Sequence, residues 1–148
     1  MRRILLPLCL LPLPVMAQDE EVHPYTKSNI APVTLGVRDE AEDGCWTNAA
    51  AAPALAKAAL EAAGIAYTDD PAAAKTTLFL FVDTSRDGGC YGNITIDLRG
   101  DVTWDGHAVR AVLRDAGANF KGVDSLNPVI PQVLDHFVGN QLGAFPAN

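Results

Sequence analysis

The sequence predicts an α+β fold. The expected form is a two-layer sandwich, with a small, mainly antiparallel sheet covered on one face by two helices, in the order strand-helix-strand-strand-strand-helix. Three observations predict it. Ile94, Ile96 and Leu98 alternate with Thr95, Asp97 and Arg99, and Leu78 to Val82 form an unbroken apolar run of strand length. The alanine-rich stretch after Asn48 and the stretch from Pro128 to Leu142 place apolar residues at helical intervals. The turn-rich connections SRDGG (85–89) and Asp105-Gly106 are short, and strands joined by short turns pair antiparallel.

The chain opens with a signal-peptide pattern at residues 1–17. Arg2 and Arg3 supply the positive region and Ile4 to Val15 the apolar region. Val15-Met16-Ala17 supplies small residues at a cleavage site. The apolar run is shorter than the ~20 residues that cross a bilayer. Cys9 follows Leu8 rather than the small residue that a lipid-modified cysteine requires. Residues 18–30 are polar and acidic, include His23, and read as a flexible leader. Residues 31–148 read as a single α+β domain.

Within that domain the first strand is expected at Val33 to Val37, followed by a charged loop from Arg38 to Gly44. The acids of that loop lack the regular spacing of a calcium-binding loop. Thr47 or Asn48 can cap the first helix, and Pro53 either makes its first turn irregular or moves the start of the regular helix toward residue 53. Leu55, Ala58, Ala59, Ala62 and Ile65 would form its apolar stripe, with Gly64 as its stop. Leu78 to Val82 is apolar on both faces, as in a covered central strand. From Arg99 to Phe120 the pattern is ambiguous. Asp105-Gly106 marks a hairpin that makes residues 107–117 a strand, with Val109, Ala111 and Leu113 on one face. The rival reading is a helix capped by Asp105. The strand is preferred. Asn127 is expected to cap the last helix, with Ile130, Leu134, Phe137 and Gln141 as its stripe and Gly143 as its stop.

Composition narrows the function. The chain carries a net charge of −7, and loss of Arg2 and Arg3 with the signal leaves −9. Such a chain is repelled by phosphate backbones and anionic lipid surfaces, so neither nucleic acid nor membrane is an expected partner after signal cleavage. Two cysteines remain, Cys45 in GCWTN (44–48) and Cys90 in GGCYGN (88–93). In an oxidising compartment the default is one disulfide. The loop it closes holds about forty-odd residues, for which chain-entropy arguments give at most about 4 kcal/mol. A redox pair is the alternative, although the C-x-x-C spacing is absent. A metal site would need two more ligands, and no histidine lies near either cysteine.

No catalytic motif is legible. His23, His107 and His136 share no metal-binding spacing, no serine sits in G-x-S-x-G, and no nucleotide-binding glycine pattern occurs. Neither a metal nor a cofactor is indicated. Asp83, Arg86 and His107 are the scattered polar residues from which a catalytic site would have to be assembled. Trp46 and Tyr91 each follow a cysteine. If the disulfide forms, the two rings would be brought near one another, as core packing or as an aromatic platform. Trp46, Tyr91 and His107 are therefore the candidate contacts for a ligand or partner.

Gly44-Cys45-Trp46-Thr47-Asn48, followed by a helix, an apolar strand and a second cysteine, resembles small secreted bacterial proteins of unknown function. The resemblance spans about residues 33 to 142. It implies a periplasmic α+β domain with one disulfide and no particular activity. The expected protein is a periplasmic or secreted, non-enzymatic binding or accessory module with a protein or small-molecule partner. The alternative is a thiol-disulfide redox protein using Cys45 and Cys90.

Overall fold

The structure, a computed structural model, describes residues 25–148. The expected signal peptide and residues 18–24 of the leader lie outside the described residues. The remainder of the leader belongs to the folded domain. Thr26 caps the short helix α1 (Lys27–Ile30): its hydroxyl accepts from the Asn29 amide at 3.2 Å, and the Asn29 side chain accepts from the Thr26 amide at 2.8 Å. Ile30 at the end of this turn is buried.

A four-stranded mixed sheet follows, in the spatial order β1-β2-β3-β4. Strand β1 (Val33–Ala41) runs parallel to β2 (Thr76–Arg86), which a crossover through helix α2 (Ala52–Ala62) makes geometrically possible. Strands β2, β3 (Cys90–Trp104) and β4 (His107–Val123) form an antiparallel meander. Helix α3 (Val129–Asp135) and a π-helical segment (His136–Leu142) complete the chain. The α+β class matches the expectation. Helix α1 and a 3-10 turn at Ala49–Ala51 are additional elements.

The core is one cluster. Leu78, Leu80 and Val82 of β2 and Ile94, Ile96 and Leu98 of β3 meet Ala56 and Leu60 of α2, and Ile130, Leu134 and Phe137 near the C-terminus. The stripe of α2 differs from the expected one. Ala52, Ala56, Ala59 and Leu60 are buried, whereas Ala58 and Ala62 face solvent. In a run of alanines, periodicity carries little information, and the large side chain of Leu60 sets the rotation. Gly64 does follow the helix with φ +70°, the left-handed geometry of a stop.

Four further expectations are corrected. Arg38 to Ala41 continue β1 rather than forming a loop, because β1 is an edge strand and its charged residues face water. Among the described residues, the run Leu78 to Val82 is covered by helices on one face only. Phe79 and Phe81 lie half-buried on the face away from the core, where the Arg99 guanidinium sits 3.9 Å from the centre of the Phe79 ring and that of Arg38 sits 5.2 Å from Phe81. Asn127 does not cap α3; it bonds to Thr47 instead. At the end of the chain the π-helical turn moves the buried stripe from Gln141 to Leu142, and the Gly143 amide reaches back to the Val138 carbonyl at 2.7 Å.

The β3-β4 hairpin turns on Asp105 (φ 48°) and Gly106 (φ 77°). This is the two-residue geometry that the Asp-Gly pair predicts, and residues 107–117 are strand.

Candidate functional site

The first candidate site is built around Cys45 and Cys90. They form a disulfide with Cα atoms 5.7 Å apart, and both are fully buried. Asp43 (φ 52°) and Gly44 (φ 69°) bend the backbone sharply just before Cys45. The bridge ties the segment preceding α2 to the first residue of β3. Hydrogen bonds extend this connection to the segment preceding α3. The Leu126 amide donates to the Cys45 carbonyl at 2.8 Å. Thr47 and Asn127 exchange two hydrogen bonds, at 3.1 and 2.8 Å. Arg86 joins the same clasp by donating to the carbonyls of Asp43 and Asp124, at 3.1 and 3.2 Å.

Trp46 and Tyr91 do not share a platform. Trp46 is 6% exposed and belongs to the core cluster. Tyr91 follows the buried Cys90 on β3, so it points to the opposite face of the sheet, where it is 42% exposed beside Lys121 of β4. The bridge brings their backbones together and leaves their rings on different sides.

Asp83, Arg86 and His107 do not converge either. Asp83 pairs with Asn93 across β2 and β3, whereas His107 pairs with Trp104 at the hairpin turn. Asn93 and Trp104 lie eleven positions apart on β3, about 36 Å along an extended strand. Arg86 is engaged in the clasp. His136 is exposed on the π-helical segment with its Nδ1 3.1 Å from the Asn140 amide nitrogen. Among the described residues, no group of three or more His, Cys, Asp or Glu side chains is placed to hold a metal ion, and no helix is long and apolar enough to cross a membrane.

The second candidate site is the far end of the β3-β4 hairpin. Strand β2 begins at Thr76, opposite Gly100, so residues 101–110 extend beyond it as a two-stranded arm. Trp104 on this arm is 75% exposed. Val109 is also exposed, as is Val112 just below the arm. A cavity of about 480 Å³ lies at its base, lined in part by Tyr25, Lys75, Thr76, Gly100, Val102 and Leu113. The sequence carried part of this signal, because the Asp-Gly turn is flanked by VTW and HAVRAVL. The missing part was the mismatch in length between β2 and its neighbours.

The open face of the sheet mixes polar and aromatic side chains, and the buried Asn93 Oδ1 on it has no hydrogen-bond partner among the described residues. Asp97 is 5% exposed there and accepts from Arg99 through both oxygens, at 2.6 and 2.8 Å. This hydrogen-bonded carboxylate raises the Arg99 pKa further above its ordinary value. Arg99 is thereby fixed over Phe79 rather than free to bind an incoming anion.

The chain matches no known protein-family model, and no curated protein or solved structure is significantly similar to it.

Proposed function

We propose that this chain is a periplasmic or secreted bacterial protein, cleaved after Ala17, that acts as a non-enzymatic binding module with its helices in a single layer on one face of the sheet. The signal-peptide pattern supports export, as does the resemblance of GCWTN to small secreted proteins. A buried disulfide fits the oxidising compartment that export would reach. The observation that carries the binding reading is the β3-β4 arm with its exposed Trp104. Tryptophan is the residue type most enriched where binding energy concentrates, and a surface that exposes it together with Val109 has apolar area to bury on a partner. Trp104 and Val109 stand on the open ribbon beyond the cavity at its base, which favours a protein partner over a small molecule.

The test is site-specific photo-crosslinking in the native host. A photoreactive residue replaces Trp104 or Val109, with Lys57 on the exposed side of α2 as the control. A discrete adduct from the arm positions and none from Lys57 is expected. No adduct at the arm, or the same pattern from all three positions, sinks the reading. The redox alternative requires a thiolate to reach a sulfur that is buried at both cysteines. Reduction of the bridge by dithiothreitol in the folded protein, without unfolding, would bring that alternative to the front.

A further inference from the structure

We propose that two copies of this chain pair antiparallel along β4, about a two-fold axis at Ala118, to make one continuous eight-stranded sheet. The inference uses residues 114–121 and is independent of what the arm binds.

Among the described residues β4 is hydrogen-bonded only to β3, and none of them pairs with its outer edge. The two edges of the sheet differ in kind. Strand β1 carries Arg38, Asp39 and Glu40 in succession, a charged edge of the sort that discourages pairing. The register of β4 is broken twice, at Leu113 near its middle and at Gly122 near its end, where the partner strand shifts between Leu98 and Arg99 and between Cys90 and Tyr91. Between them residues 114–121 are regular. Arg114, Ala116, Ala118 and Phe120 stand on the helix side, and Asp115, Gly117, Asn119 and Lys121 on the open side.

Continuing a sheet through a two-fold axis perpendicular to it keeps each face on its own side. The axis must therefore pass through a residue, and this stretch has few registers to choose from. An axis at Asp115 or Arg114 sets like charges against each other. Axes at Ala116 and Gly117 leave Asp115 opposite an uncharged residue. The axis at Ala118 places Asp115 opposite Lys121 of the second copy, and does so twice. Neither residue is in an ion pair among the described residues. The same register puts Phe120 of each copy opposite Ala116 of the other, on the helix side. There a cleft of about 230 Å³ opens between β4 and α3, lined by Ala116, Ala118, Val129, Val133 and Phe137. Charge complementarity on one face and an aromatic ring against an apolar cleft on the other thus select the same axis.

The test is sedimentation velocity of the purified protein from low micromolar to submillimolar concentration. A reversible dimer is expected. Asp115→Lys should raise its dissociation constant about tenfold, since two opposite-charge pairs become two like-charge pairs. Combining Asp115→Lys with Lys121→Asp in one chain should restore it. Ala118→Lys sets two lysines face to face on the axis and should give a monomer. Asp115, Ala118 and Lys121 are all exposed, so circular dichroism and Tm should show each variant folded. A protein that stays monomeric throughout the range overturns the proposal. So does a dimer indifferent to Ala118→Lys, or one that the charge exchange fails to restore.

Discussion

Asn127 and Thr47, eighty residues apart in the chain, hold each other by two hydrogen bonds: the Thr47 amide donates to Asn127 Oδ1 at 3.1 Å, and Asn127 Nδ2 donates to Thr47 Oγ1 at 2.8 Å. The pair gives Thr47, the fourth position of GCWTN, a structural role. Cys45 binds β3 through sulfur and Leu126 through its carbonyl, Trp46 enters the core, and Thr47 fastens the segment that leads into α3. Asn127→Ala should destabilise the protein by about 1–2 kcal/mol, and Thr47→Ala by about 1 kcal/mol. Because the two residues share their partners, the double variant should cost less than the sum, with a coupling of roughly 1 kcal/mol. Urea denaturation of the four proteins measures it, and strict additivity would mean that the two side chains do not act together.

The disulfide is the strongest link of the clasp. Replacing both cysteines by alanine should lower stability by about 2–4 kcal/mol, since the bridge closes a loop with a sequence separation of 45. Arg86, Leu126 and the Thr47–Asn127 pair still join the segments before α2 and α3 to each other and to β2, so the variant should keep its far-ultraviolet circular dichroism while its denaturation midpoint falls. An unchanged midpoint would show that hydrogen bonds alone suffice.

The parts of this architecture that could be read from sequence are those where side-chain size alternates. Ile94, Ile96 and Leu98 announce β3, and Asp105-Gly106 announces its turn. Where size carries no contrast, the reading failed. Alanines could not show which side of α2 faces inward. Arg38 to Glu40 look like a loop because an edge strand has no need of apolar residues facing water. Phe79 and Phe81 read as residues of a doubly covered strand, because their cover is the aliphatic and guanidinium surface of two arginines rather than a helix. The candidate contacts failed for a related reason. Standing next to a cysteine fixes where a backbone is, and the strand period then sends Tyr91 and Cys90 to opposite faces. The place of Asn127 before Pro128 predicts a cap, whereas its partner lies eighty residues away.

Two glycines separate steric from conformational demand. At Gly92 (φ +144°) a Cβ would lie 2.2 Å from the Asp83 carbonyl oxygen and 2.8 Å from the Thr84 Cα, both backbone atoms of the neighbouring strand. At Gly106 (φ +77°) nothing lies within 4 Å. Gly106→Ala should therefore cost only the strain of a left-handed backbone, about 1 kcal/mol. Gly92→Ala must push β2 and β3 apart and should cost more than about 3 kcal/mol. Equal losses in thermal denaturation would refute the close approach of the two strands at Gly92.

Arg99 and Asp97 provide the sharpest test of the open face. Asp97 is nearly buried, and its two oxygens are satisfied by one guanidinium that also stacks on Phe79. Arg99→Ala leaves a desolvated carboxylate without its cation and uncovers the Phe79 ring, so a loss of about 3 kcal/mol is expected. Arg99→Lys keeps the charge but supplies neither the planar fork nor the stacking surface, and should recover only part of that loss. The double variant Arg99→Ala with Asp97→Ala removes the unpaired charge and should be more stable than Arg99→Ala alone. Chemical denaturation orders the series. If Arg99→Lys matched the wild-type protein, the two-pronged contact and the stacking would carry no weight, and Asp97 would need only a nearby positive charge.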